Sequence, residues 1–176
     1  MTVLQNDAFV IGAAVTGADL SGQRAESLSL TDVEFTRCNL ANVQAPRARM
    51  SRVAISDSRL TGATLTESQL RDVTIRGCRA DLTSFGFSRL ERVTFEDCVL
   101  SGADFLEARL DSVRFNGCDL FEADIRGARL TACELRGCRL DGLQGVANLA
   151  GAAMEWPAIV EMAGVWAAAL GIEVLE

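Results

Sequence analysis

A chain of 176 residues that is 49% hydrophobic, with 15 Gly and only 2 Pro, is long enough to bury one sizeable core. Its net charge of −7 comes from 24 Asp and Glu against 17 basic residues, every one of them Arg. His and Tyr are absent, which removes the commonest general base and argues against both conventional acid–base catalysis and a His-containing zinc site.

From Val10 to Leu140 every fifth residue is apolar, giving 27 consecutive five-residue units. A period of five fits neither the 3.6 of a helix nor the 2 of a strand, so it marks a repeat architecture. The position two before each of these residues is Ala, Val, Cys, Ser or Thr nearly throughout, with Gln23 and Leu28 as the main departures. Two positions in five thus face inward, and the remaining three carry almost all the charge and the turn glycines.

A second spacing, of twenty, fixes the coil. Cys38, Cys78, Cys98, Cys118 and Cys138 share one phase, with Ala18 and Ser58 in the other slots. Val33, Val53, Val73, Val93 and Val113 share another, each followed two residues later by Phe35, Ile55, Ile75, Phe95 or Phe115. Four units therefore make one coil of a square solenoid. At ~4.8 Å per coil the repeats form a rod about 32 Å long.

Six cysteines at inward small positions read as small buried hydrophobes. Stacked side chains keep Cβ atoms roughly as far apart as the coils, ~4.8 Å, beyond the usual ~3.5–4.5 Å of a disulfide. The CxxC spacing of a metal site is missing, and the glycines recur at turns rather than as a phosphate-binding loop. No cofactor, metal or catalytic residue is expected, and the chain does not read as an enzyme.

Ala18-Asp19-Leu20, Ala103-Asp104-Phe105 and Cys118-Asp119-Leu120 resemble the A(D/N)LXX motif of pentapeptide repeat proteins over about four fifths of the chain. The resemblance implies an all-β fold, a right-handed quadrilateral β-helix. Residues 1–143 are assigned to this solenoid and 144–176 to a C-terminal helical cap and dimerisation segment.

After Leu143 the period breaks. Pro157 suits a first helical turn and Gly171 the residue past the end, which predicts a helix over 158–170. Ile159, Met162, Ala163, Trp166 and Leu170 at helical spacing would close the last coil. Val160, Val165 and Trp166, with Ile172 and Val174 in a strand over Ile172 to Leu175, would contact a second copy. Gyrase-binding members of the family are similar in pairing through their C-termini, so the resemblance also implies a homodimer. A strand from Thr2 to Gln5 remains an open alternative to a solenoid that starts at Ala8.

The family's best-known activity is mimicry of duplex DNA, through which a rod occupies a type II topoisomerase and confers quinolone resistance. Between Val10 and Gly142, however, 19 acids face 17 Arg, an excess of two. B-DNA carries one charge per ~1.7 Å, so full imitation of it over this length needs roughly 19. The wall centred on Val10, Leu30, Met50, Leu70, Leu90, Leu110 and Leu130 is net positive by three, with Arg49, Arg52, Arg71, Arg89, Arg92, Arg109 and Arg129 against Asp32, Asp72, Glu91 and Asp111.

One corner differs. Asp104, Glu107, Asp119, Glu122 and Asp124 cluster there with Arg126 as the immediate counter-charge, beside Leu82, Phe87, Leu106 and Phe121 at outward positions. Exposed aromatics rimmed by acids mark a protein contact. Ala80-Asp81-Leu82 also looks like a repeat core two residues out of register, so a bulge over 80–87 that turns Leu82 or Phe87 inward is the competing expectation.

The functional expectation is a non-catalytic solenoid that works by protein contact, with DNA gyrase as the specific partner implied by the resemblance. No direct nucleic-acid partner is expected. The alternative is a general interaction scaffold or regulatory rod, and a lectin-like or ligand-binding role comes third. No stretch approaches the ~20 apolar residues of a membrane span, and Met1 to Asp7 lacks a basic leader followed by an apolar run. No membrane partner is therefore expected, and the expected location is cytoplasmic.

Overall fold

A computed structural model describes residues 3–174. The coil repeat is visible in the hydrogen bonding: strands β1 (Phe9–Thr16), β2 (Ser29–Thr36), β3 (Arg49–Ser56), β4 (Gln69–Arg76) and β5 (Arg89–Glu96) pair in parallel, each shifted by twenty residues. The same register continues through β6 (Arg109–Asp111), β7 (Arg114–Asn116), β8 (Arg129–Thr131) and β9 (Cys133–Arg136). The other two walls are joined by single parallel bridges, from Asp19↔Asn39 to Asp119↔Arg139 and from Arg24↔Gln44 to Asp124↔Gln144. The architecture is a parallel quadrilateral β-helix with no loop inserted between coils.

The corners explain the period of five. In Leu60-Thr61-Gly62-Ala63 the Ala63 N–H donates to the Leu60 carbonyl at 2.8 Å and Gly62 has φ 68°, a type II turn. Each such turn redirects the chain after two inward residues. The corner over 80–87 keeps the same register: Ala80 and Phe85 are fully buried, so no bulge forms and Leu82 and Phe87 stay outside.

The core changes character along the axis. In the C-terminal half, Phe85 stacks on Phe105 with centroids 5.1 Å apart and Phe95 on Phe115 at 5.0 Å, while the two stacks meet edge to face at 5.7–6.1 Å. Toward the N-terminus Ala25 and Ala45 replace these rings, leaving an apolar cavity of about 40 Å³ among Leu4, Leu40, Ala45, Leu60 and Leu65. Leu4 lids that end, its N–H donating to Gln23 Oε1 at 2.6 Å. Residues 3–5 form no strand, and Thr2 lies outside the described residues.

Cys38, Cys78, Cys98, Cys118 and Cys138 line one wall and Cys133 lies on another, in β9; all six are free thiols. Each thiol also donates to backbone carbonyls, as Cys98 does to Ile75 and Glu96 at 3.3 Å. Burial pushes the Cys133 thiol up, away from the reactive thiolate.

The C-terminal end departs from the single helix predicted. A short 3-10 turn (Val146–Leu149) and strand β10 (Ala152–Met154) close the last coil, β10 pairing with β9 at a register of nineteen. Two helices follow, α1 (Trp156–Glu161) and α2 (Ala163–Ala169), broken at Met162, whose ψ is 0°. The break changes the helical phase: Met162 is buried, Ile159 and Trp166 are half-buried, but Ala163 and Leu170 face solvent instead of the coil. Pro157 lies in the first turn as expected. Gly171, at φ 71°, ends α2 in a Schellman arrangement, with its own N–H on Ala168 and that of Ile172 on Ala167. Residues 172–174 form no strand, and Leu175 lies outside the described residues.

Candidate functional site: an acidic and apolar corner

Leu82 and Phe87 occupy the third position of two successive turns, closed by Thr83 N–H to the Ala80 carbonyl and Ser88 N–H to the Phe85 carbonyl. That position requires positive φ and favours Gly or Asn. Leu82 has φ 57° and Phe87 φ 59°, and they are the two large apolar side chains among the non-glycine residues with positive φ. A left-handed conformation costs a side-chain-bearing residue roughly 1–2 kcal/mol. Burial does not repay it, since Leu82 is 65% and Phe87 60% exposed.

The cost predicts its own removal. Replacing both residues by Asn raises stability by about 0.5–1 kcal/mol per site, read as a higher midpoint in urea. A lower midpoint shows that the two side chains are held for packing.

The acids split into two groups. Asp104 accepts the Leu106 N–H at 2.8 Å and the Ser84 hydroxyl at 2.8 Å; Asp119 accepts the Phe121 N–H at 3.0 Å. Asp124 accepts the Arg126 N–H at 2.9 Å and pairs with its guanidinium at 2.6 Å, which holds the Asp124 carboxyl below its usual range. These three carboxylates shape their own turns. Glu107 and Glu122 are exposed and their carboxylates form no hydrogen bond or ion pair among the described residues, so they are the free charges of the corner.

Leu106 and Phe121 are half-buried rather than fully outward. Sequence reasoning missed the cover of Phe121: the Arg139 guanidinium lies 4.4 Å above its ring and 3.7 Å from Asp119. The signal was present, since Arg139 stands twenty residues, one coil, after Asp119. The structure thus brings together Leu82, Phe87, Glu107 and Glu122 as the accessible part of the corner.

At the far end Val160 is 57% and Val165 47% exposed, and Ile172 and Val174 also face solvent, whereas Trp166 packs partly on the core. Trp156 and Leu170 add two exposed apolar side chains to this end. Between the last coil and the helices runs a groove of about 350 Å³ lined by Cys138, Arg139, Leu140, Ala158, Met162 and Val165. No helix among the described residues is long and apolar enough to cross a membrane.

Several solved structures align with the chain at low identity. Full-length QnrB1, a plasmid-mediated fluoroquinolone resistance protein, aligns at 16% identity and a TM-score of 0.36 over 94% of this chain and 100% of its own. Rfr23, a pentapeptide repeat protein from the cyanobacterium Cyanothece 51142, aligns at 19% identity and 0.29 over 82% and 90%. HetL of Nostoc sp. strain PCC 7120, involved in heterocyst differentiation regulation, aligns at 18% and 0.26 over 86% and 89%. No curated protein matches the chain. The pentapeptide repeat region family matches residues 28–105 and 80–144, well over half of the sequence. Together with the twenty-residue coil register and the type II corners, that match means that the chain belongs to the pentapeptide repeat family.

Proposed function

We propose that this protein is a non-catalytic interaction rod whose Leu82–Phe87–Glu107–Glu122 corner contacts a protein partner. The carrying observation is the pair of large apolar side chains held mostly exposed at left-handed corner positions. Backbone strain that the fold does not repay is characteristic of contact sites. Six free thiols suit a reducing compartment, which supports a cytoplasmic setting.

In its specific form the partner is DNA gyrase, with local rather than global imitation of DNA. The loop-free coil and the family support this reading, and the near-neutral rod limits any mimicry to the corner. A general scaffold acting on another protein is the second reading, favoured by that same charge balance. A supercoiling assay with purified gyrase, with and without a quinolone, separates them. Inhibition or protection that is lost in the Leu82→Asn/Phe87→Asn variant supports gyrase. No change even at large molar excess ends the topoisomerase reading.

The dimer belongs to the same proposal. Trp156, Val160, Val165, Leu170 and Ile172 leave large apolar side chains exposed at this end, the kind of surface that pairs with a second copy. Light scattering behind size exclusion reads it directly: a monomer at micromolar concentration removes the dimer, and a Val165→Asp substitution converts dimer to monomer if it forms.

A further inference from the structure

Arg89, Arg109 and Arg129 stand above one another on successive coils, Arg89 paired in register with Arg109 and Arg109 with Arg129. All three are exposed, and among the described residues none of their guanidinium groups takes part in a hydrogen bond or ion pair. This column is unlike its neighbour on the same wall, where signs alternate from coil to coil and Arg52 meets Asp32, and Arg92 meets Asp72, at 2.6 Å. No other column of described residues places three like charges in a row. Within the chain their mutual repulsion is met by Glu107 and Asp111 at the edges of the column, two carboxylates against three guanidinium groups.

Two shallow recesses flank the ladder. One, of about 380 Å³, is bordered by Phe87, Ser88 and Glu107; the other, of about 200 Å³, by Leu110, Asp111 and Thr131. The carboxylates at the edges leave the guanidinium line in excess, and Asp111 is partly occupied by the Ser112 hydroxyl at 2.9 Å. A ligand that satisfies the ladder must be anionic and must repeat along the rod axis.

Spacing selects among anionic ligands. Three arginines on coils ~4.8 Å apart span about 9.6 Å. Residues i, i+4 and i+7 of an α-helix lie on one face and span roughly 10.5 Å, at 1.5 Å per residue. Three same-face residues of an extended strand span about 13 Å and fall out of step. We propose that the Arg89–Arg109–Arg129 ladder docks an acidic α-helix of a protein partner. Its carboxylates at i, i+4 and i+7 meet the three guanidinium groups in turn, and a neighbouring apolar residue rests on Phe87. Arg–carboxylate pairs provide the directional contact. This surface goes beyond the corner contact and does not depend on gyrase being the partner.

The test uses the full chain and fluorescence anisotropy with three labelled probes: a helix-stapled peptide with Glu at i, i+4 and i+7 and one Leu beside them, a permuted peptide of the same composition with Glu at every second residue, and a single-stranded oligonucleotide. The expected result is binding of the helical-register peptide that weakens with salt and falls at least about tenfold in R89Q/R109Q/R129Q, with the melting transition unchanged. No binding, binding that survives the triple substitution, or equal binding of the permuted peptide overturns the proposal. Tighter binding of the oligonucleotide overturns it in favour of a phosphate-backbone ligand. Because the triple variant leaves Leu82, Glu107 and Glu122 in place, a failure here is distinguishable from a failure of the corner contact.

Discussion

Phe105→Ala lowers the unfolding free energy by about 3–5 kcal/mol and the melting temperature by roughly 10 °C. Phe105 is fully buried, stacks on Phe85 at 5.1 Å, and takes the edges of Phe95 and Phe115 at 6.1 and 5.8 Å. Removing the ring deletes three aromatic contacts and leaves a void that rigid coils above and below cannot collapse to fill. Equilibrium unfolding in urea, followed by circular dichroism, reads the effect. Phe121→Ala is the comparison: its half-exposed ring loses mainly the contact with Arg139, so its cost is about 1 kcal/mol. Equal losses at the two sites contradict the interlocked stack.

Gly145→Ala detaches the C-terminal cap. Gly145 has φ 83°, and a Cβ there stands 2.7 Å from the Arg126 backbone nitrogen and 2.8 Å from its Cα, neither of which can swing aside. The left-handed conformation adds about 1–2 kcal/mol, so the total is on the order of 3 kcal/mol, felt where Val146 and Leu149 seal the last coil. Limited proteolysis then cuts after residue 145 under conditions that leave the wild-type chain intact, and any dimer formed through this end dissociates. Gly164→Ala has the opposite sign. It lies in α2 with no atom within 4 Å of the added Cβ, and it stabilises the helix by up to about 1 kcal/mol. Resistance of Gly145→Ala to protease shows that the cap is held by the helices alone.

The coil and its inward residues were legible because a period of five states directly which side chains share a wall, and the twenty-residue recurrence of Val33 or Cys38 counts the walls. Four things were not. Whether a carboxylate is free depends on whether it accepts the N–H two residues on, as Asp104 and Asp119 do, and outward spacing looks the same for Asp119 and Glu122. The break at Met162 coincides with the burial of its side chain on the last coil, within a stretch from Ala158 to Leu170 in which Gly164 is the one poor helix former. The arginine ladder was diluted in the wall total of seven Arg against four acids, which sums over columns whose neighbours neutralise one another. For Leu82 and Phe87 the corner position was readable from the register, but the positive φ was not.

A coil of twenty residues without insertions quantises the ways in which this molecule can change length. Adding or removing one whole coil slides the apolar end along the axis by a single step and keeps every surface facing as before. Adding or removing five residues turns everything beyond the cut by a quarter revolution, so that the arginine column and the terminal helices no longer look the same way. For a partner that touches both the corner and the end, the repeat number acts as an angular setting as well as a ruler.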